Sequence, residues 1–94
     1  MKKPTQGDEI TIRYKDGTFI ERCGEVMDIA KRAPGAARFS VLSKGSFHNG
    51  GEATLINGAN QLPLRVERVT SMPDKRVNLV SFYGVFEVEE AVAG

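Results

Sequence analysis

A single cysteine, Cys23, and a single histidine, His48, stand in 94 residues, and this scarcity removes whole classes of chemistry. One thiol forms no intramolecular disulfide, and one histidine with one cysteine cannot complete a His/Cys zinc site. Neither a disulfide-stapled scaffold nor a metal or other cofactor is therefore expected. No apolar run approaches the roughly 18 residues that a membrane-spanning helix needs. Met1-Lys2-Lys3-Pro4 is basic but has no apolar segment behind it, unlike a secretory signal. Together with the lone cysteine, this predicts a cytoplasmic protein with no membrane partner. Gly45, Gly50 and Gly51 follow neither the Gly-Lys-Ser/Thr nor the Gly-x-Gly-x-x-Gly order, so no phosphate-cradling loop is expected. Helical periodicity is scarce as well.

What the chain does have is alternation. Ten glycines and four prolines cut it into short runs with a period near two, which predicts a mostly β chain of five to seven strands with at most one short helix. Residues 1–94 make one domain, a small antiparallel barrel or roll, with 1–8 and 89–94 as frayed tails. Ile10 to Tyr14 and Thr18 to Ile20 flank Lys15-Asp16-Gly17, a hairpin turn. A three-residue loop with Gly17 as the left-handed residue places Ile12 opposite Ile20 and Tyr14 opposite Thr18, keeping Glu21 off the buried face. On this reading the inner parity of Ile20 runs on through Gly24 and Val26, with Gly24 permitting a bend or a close approach.

Ala30 to Ala37 reads as a loop with room for a helical turn before Pro34, leading to a strand over Arg38 to Leu42. Ser43 to Glu52 reads as a mobile loop. Ala53 to Ile56 and Ala59 to Leu62 form a second hairpin about Asn57-Gly58, a pair suited to a type I′ turn. Leu64, Val66 and Arg68 share one parity and Val69 takes the other, which requires a bulge or a short 3₁₀ turn near Arg68. After Pro73 a strand resumes over Val77 to Phe82, Tyr83-Gly84 reads as a bend, and Val85 to Val88 as an antiparallel return.

Ile12-Arg-Tyr-Lys-Asp-Gly17, followed by a glycine-bearing strand ending Val26-Met-Asp-Ile29, resembles the opening strands of Sm-like and SH3-like small barrels. Leu64-Arg-Val-Glu-Arg-Val-Thr-Ser-Met72 is similar to the closing segment of Sm-like regulatory domains such as Rho-inhibiting antitermination factors. The matched segments cover about a third of the chain. The spacing of Gly24, the missing second Sm signature and the segment from Pro73 to Val88 depart from that pattern. The resemblance implies a barrel and carries no binding residue across.

For catalysis the candidates are only Cys23 and His48. Cys23 reads as a small buried residue and His48 as an exposed loop residue, so no enzyme is expected. Charge is more informative. Residues 30–76 hold eight basic side chains against three acidic ones, whereas the flanking segments are slightly acidic. If the middle segment forms one face, Lys31, Arg32, Arg38, Lys44, Arg65 and Arg68 present a positive field to phosphate or to an acidic surface. Phe47 and His48 are added as loop contacts, with Phe47 offering a stacking face. The expected function is that of a non-catalytic bacterial or phage accessory or regulatory module binding nucleic acid or a nucleic-acid-processing protein. The alternative is a small protein-binding inhibitor or mobile-element assembly protein, and homo-oligomers by edge-strand pairing are a further expectation. A small-ligand binder or enzyme ranks below both.

Overall fold

The computed structural model describes residues 1–15, 17–29 and 35–87. Six strands follow one another: β1 Glu9–Tyr14, β2 Gly17–Asp28, β3 Ala36–Ser43, β4 Glu52–Asn57, β5 Asn60–Met72 and β6 Val77–Val85. They close into an antiparallel barrel in the order β1-β2-β3-β6-β5-β4, the architecture and strand number that the alternation predicts. Closure pairs strand edges with one another. Among the described residues Gly17–Arg22 of β2 pairs with β1 alone and Thr70–Met72 of β5 with β6 alone. The only helix among the described residues is a 3₁₀ turn, Pro73–Lys75, ended by Arg76 in the left-handed region.

Alternation builds the core directly. Ile10, Ile12 and Tyr14 of β1, Phe39 and Val41 of β3, Ala53 and Leu55 of β4, Leu62, Leu64 and Val66 of β5, and Val80 and Phe82 of β6 all point inward and are buried. Burying one such large side chain is worth about 1.5–3 kcal/mol, so the barrel interior is the main source of stability. Two register shifts bend the wall. In β5 the shift lies between Val66 and Arg68, where the parity conflict requires one, and it returns Val69 to the inner side. In β2 the shift lies between Cys23 and Val26. There a Cβ on Gly24 would sit 2.8 Å from Ser40 Oγ and 3.0 Å from Ser40 O, so glycine permits the close approach of β2 to β3.

Several expectations are corrected. The first hairpin pairs Ile12 with Phe19 and Tyr14 with Gly17, with Lys15 itself in the left-handed region at φ 53°. Phe19, Glu21 and Cys23 therefore take the inner parity, and Ile20 lies outside at 65% exposure. Glu21 is tolerated because it is only half-buried and accepts a hydrogen bond from Ser43 Oγ at 3.2 Å. At the second hairpin Asn57 pairs with Asn60. The turn residues are thus Gly58 and Ala59, and of these only Gly58 has positive φ, as a type II′ turn requires. Strand β6 runs straight through Tyr83 and Gly84, and Phe86 then turns into the core, its N–H donating to Gly35 O.

Residues 1–8, expected as a tail, make contacts with the barrel. Pro4 is buried, Gly7 N donates to Cys23 O and Cys23 N to Asp8 O, and Lys3 pairs with Asp28. The helical turn before Pro34 and the tail from 89 onward lie outside the described residues.

Candidate functional site

Antiparallel pairing lines up outward side chains across the wall. Arg38 of β3 lies opposite Tyr83 of β6, and Tyr83 lies opposite Arg65 of β5. Arg65 in turn faces Glu52 of β4. One transverse row therefore reads Arg38, Tyr83, Arg65, Glu52. The Arg65 guanidinium carbon stands 5.1 Å from the centre of the Tyr83 ring, a cation–π contact. Arg38 is fixed differently, by two hydrogen bonds to Glu67, Nε to Oε1 at 3.2 Å and Nη2 to Oε2 at 2.9 Å. Glu67 occupies the β5 bulge, a position that re-aims a side chain. The paired carboxylate raises the Arg38 pKa above its ordinary value, first through the hydrogen bonds and then through its charge.

The next row has low relief. Arg13 faces Thr54, and Thr54 faces Pro63, so two short side chains form a floor between longer ones. The result is a surface groove of about 590 Å³ bordered by Arg13, Lys15, Arg65 and Tyr83. Arg13 is steadied by Gln61, whose Oε1 accepts from Nη2 at 3.1 Å, and the Lys15 ammonium lies 5.4 Å from the Tyr14 ring centre. This face thus carries four cations, Arg13, Lys15, Arg38 and Arg65, against two carboxylates, Glu52 opposite Arg65 and Glu67 paired with Arg38. Arg68 adds a further cation one step past the bulge, opposite Ser81.

The structure brings together three of the residues expected from the sequence, Arg38, Arg65 and Arg68. Lys44 and His48 are exposed elsewhere, on the segment 44–51 that crosses one end of the barrel. Lys31 and Arg32 lie outside the described residues. Phe47 is corrected outright: at 4% exposure it is a core residue, with Tyr14, Phe19 and Phe82 ring centres 4.6, 5.4 and 5.5 Å away. Its burial anchors the segment read as a mobile loop. His48 N donates to Tyr14 Oη, Asn49 Oδ1 accepts from Val69 N, and Gly50 N donates to Val66 O.

Sequence reasoning missed Tyr83 and Arg13. Continuing the alternation of Val80 and Phe82 by one residue puts Tyr83 outside, but Tyr83-Gly84 carries the signal of a bend. Arg13 belongs to a segment of balanced charge, and a count by segment hides it.

Cys23 is buried at 2% exposure, and burial, aided by the Asp8 charge, pushes its thiol up to about 11. That is the opposite of an activated nucleophile. Among the described residues no helix is long and apolar enough to cross a membrane. Comparison with protein-family models, curated proteins and solved structures returned no match.

Proposed function

We propose that this protein is a non-catalytic binding module that engages nucleic acid through the Arg13–Arg65–Tyr83 groove and the adjoining Arg38 and Arg68. In this reading it acts as an accessory or regulatory barrel in the manner of Sm-like and SH3-like domains, in a bacterial or phage setting. The observation that carries the reading is the row in which an outward-facing, half-buried aromatic ring is flanked by two arginines and bordered by further cations. Phosphates are neutralised by arginine and lysine, while unpaired bases stack on tyrosine rings and on guanidinium planes.

Three phosphate contacts, one each from Arg13, Lys15 and Arg65, give a slope of about −2 in a plot of log affinity against log salt for a single strand. A fourfold rise in salt then weakens binding roughly twentyfold. Fluorescence anisotropy of a labelled single-stranded oligonucleotide across a salt series tests this. Absent binding, or binding indifferent to salt, removes the reading.

A protein partner is the second reading. It is favoured by an apolar surface groove of about 460 Å³ whose lining includes Gly24, Leu42, Met72 and Leu79, with Leu42 at 44% exposure. Leu42→Glu separates the two, because it disturbs that groove and leaves the cationic row untouched.

A further inference from the structure

The chain carries two Asn-Gly pairs, Asn49-Gly50 and Asn57-Gly58, and the proposed interface uses neither asparagine. The pair has intrinsic reactivity. The backbone nitrogen of the following residue can attack the asparagine side-chain carbonyl carbon, and glycine, lacking a Cβ, leaves that approach open. By sequence the two pairs are equivalent, and the fold makes them different.

At Asn49 the reacting groups are both occupied. Asn49 Oδ1 accepts from Val69 N at 2.9 Å, and Gly50 N donates to Val66 O at 2.7 Å. The return bond from Val66 N to Gly51 O at 2.8 Å locks the same segment a second time. Attack here requires breaking contacts that also hold the barrel end closed.

Asn57 is exposed at the end of β4. Gly58 sits in the two-residue turn at φ 61°, with nothing within 4 Å of the position a Cβ would take. No hydrogen bond engages the Asn57 side chain or the Gly58 N–H among the described residues. The turn is closed by the single pair Asn57–Asn60 beyond Ile56–Gln61, so local opening is inexpensive there.

We propose that Asn57 is a site of spontaneous covalent modification, converting to aspartyl and isoaspartyl residues, and that Asn49 is protected. Gly58 N forms a bond to Asn57 Cγ, the Cγ–Nδ2 bond breaks, and ammonia leaves with the proton lost from Gly58 N. Water then opens the cyclic imide at one or other carbonyl. Opening at the former side-chain carbonyl restores the normal backbone as aspartate. Opening at the main-chain carbonyl routes the chain through Cβ and lengthens the β4–β5 turn by a methylene. No oxidant, reductant or enzyme is needed. Each event adds one carboxylate, taking the formal net charge at pH 7 from +1 to zero.

The test is ageing of the native protein in mildly alkaline buffer, followed by isoelectric focusing and peptide mapping by mass spectrometry, with the same chain in denaturant as reference. Each net hydrogen bond is worth roughly fivefold in an equilibrium, so the two at Asn49-Gly50 predict conversion at Asn57 roughly twenty-five-fold faster in the folded protein. In denaturant the two rates converge. Running the ageing in ¹⁸O-labelled water places one label at position 57 for each event. Equal folded-state rates at the two asparagines overturn the proposal. So does an Asn57 that stays intact in the folded protein while converting in denaturant.

Discussion

Replacing Phe47 by alanine tests whether the segment between β3 and β4 is part of the core. The ring is buried and touches Tyr14, Phe19 and Phe82, so its removal forfeits the transfer free energy of the side chain and leaves a cavity at the barrel end. Large-to-small changes of this kind cost about 3–5 kcal/mol, against a net stability of roughly 5–15 kcal/mol for a domain. A domain of this size loses about 4–8 °C of Tm per kcal/mol, so Phe47→Ala melts at least about 12 °C below the native protein, or fails to fold. Urea titration followed by circular dichroism measures the loss, with an unchanged m-value showing that the unfolded state is not responsible. Phe47→Leu keeps a branched apolar group in the site and recovers a large part of the loss. In that folded variant oligonucleotide affinity stays at the native level, because the ring faces the interior. A cost under about 1 kcal/mol for Phe47→Ala, or a Phe47→Leu variant of native stability that no longer binds, would refute this reasoning and restore Phe47 to the surface.

Gly24→Ala is expected to cost about 1–3 kcal/mol, because the new methyl meets both the hydroxyl and the carbonyl oxygen of Ser40. Adding Ser40→Ala recovers only part of that in the same urea titration, since the carbonyl belongs to the backbone, and full recovery would place the strain elsewhere. Cys23 predicts a pH dependence. Its thiol pKa is raised from 9.0 to about 11 by burial and by Asp8, so the folded state holds the proton more tightly than the unfolded chain. This contribution is complete below pH 9 and is lost as pH rises toward about 11. Denaturation across that window shows a fall in stability that Cys23→Ala lacks, and identical profiles would contradict the burial argument.

The parts of the fold that sequence reasoning captured are those where alternation and chain chemistry agree. Phe39 and Val41 on one side of β3, and Leu62, Leu64 and Val66 on one side of β5, declare a two-residue period. The opposed parity of Arg68 and Val69 requires the bulge that the structure contains. The first hairpin was misread because two rules failed together: a lysine takes the left-handed turn position, and an isoleucine lies outside while a glutamate turns inward beside Ser43. Gly84 resembles a bend signal, yet its role is steric. A Cβ there would sit 2.8 Å from Leu64 Cδ2 and 3.1 Å from Leu62 Cδ2, contacts with a strand some twenty residues away in sequence. The site was half legible for the same reason. Arg38, Arg65 and Arg68 belong to the basic middle segment, but the row around Tyr83 exists only once β6 has been inserted between β3 and β5.

Backbone amide chemical-shift mapping on titration with a single-stranded oligonucleotide tests the central claim most directly, because it locates the contact without altering any residue. The largest shifts are expected at Arg38, Thr54, Arg65 and Tyr83, and they should shrink as salt is raised. Shifts confined to Leu42, Met72 and Leu79, or scattered evenly around the barrel, would contradict a nucleic-acid interface centred on Tyr83.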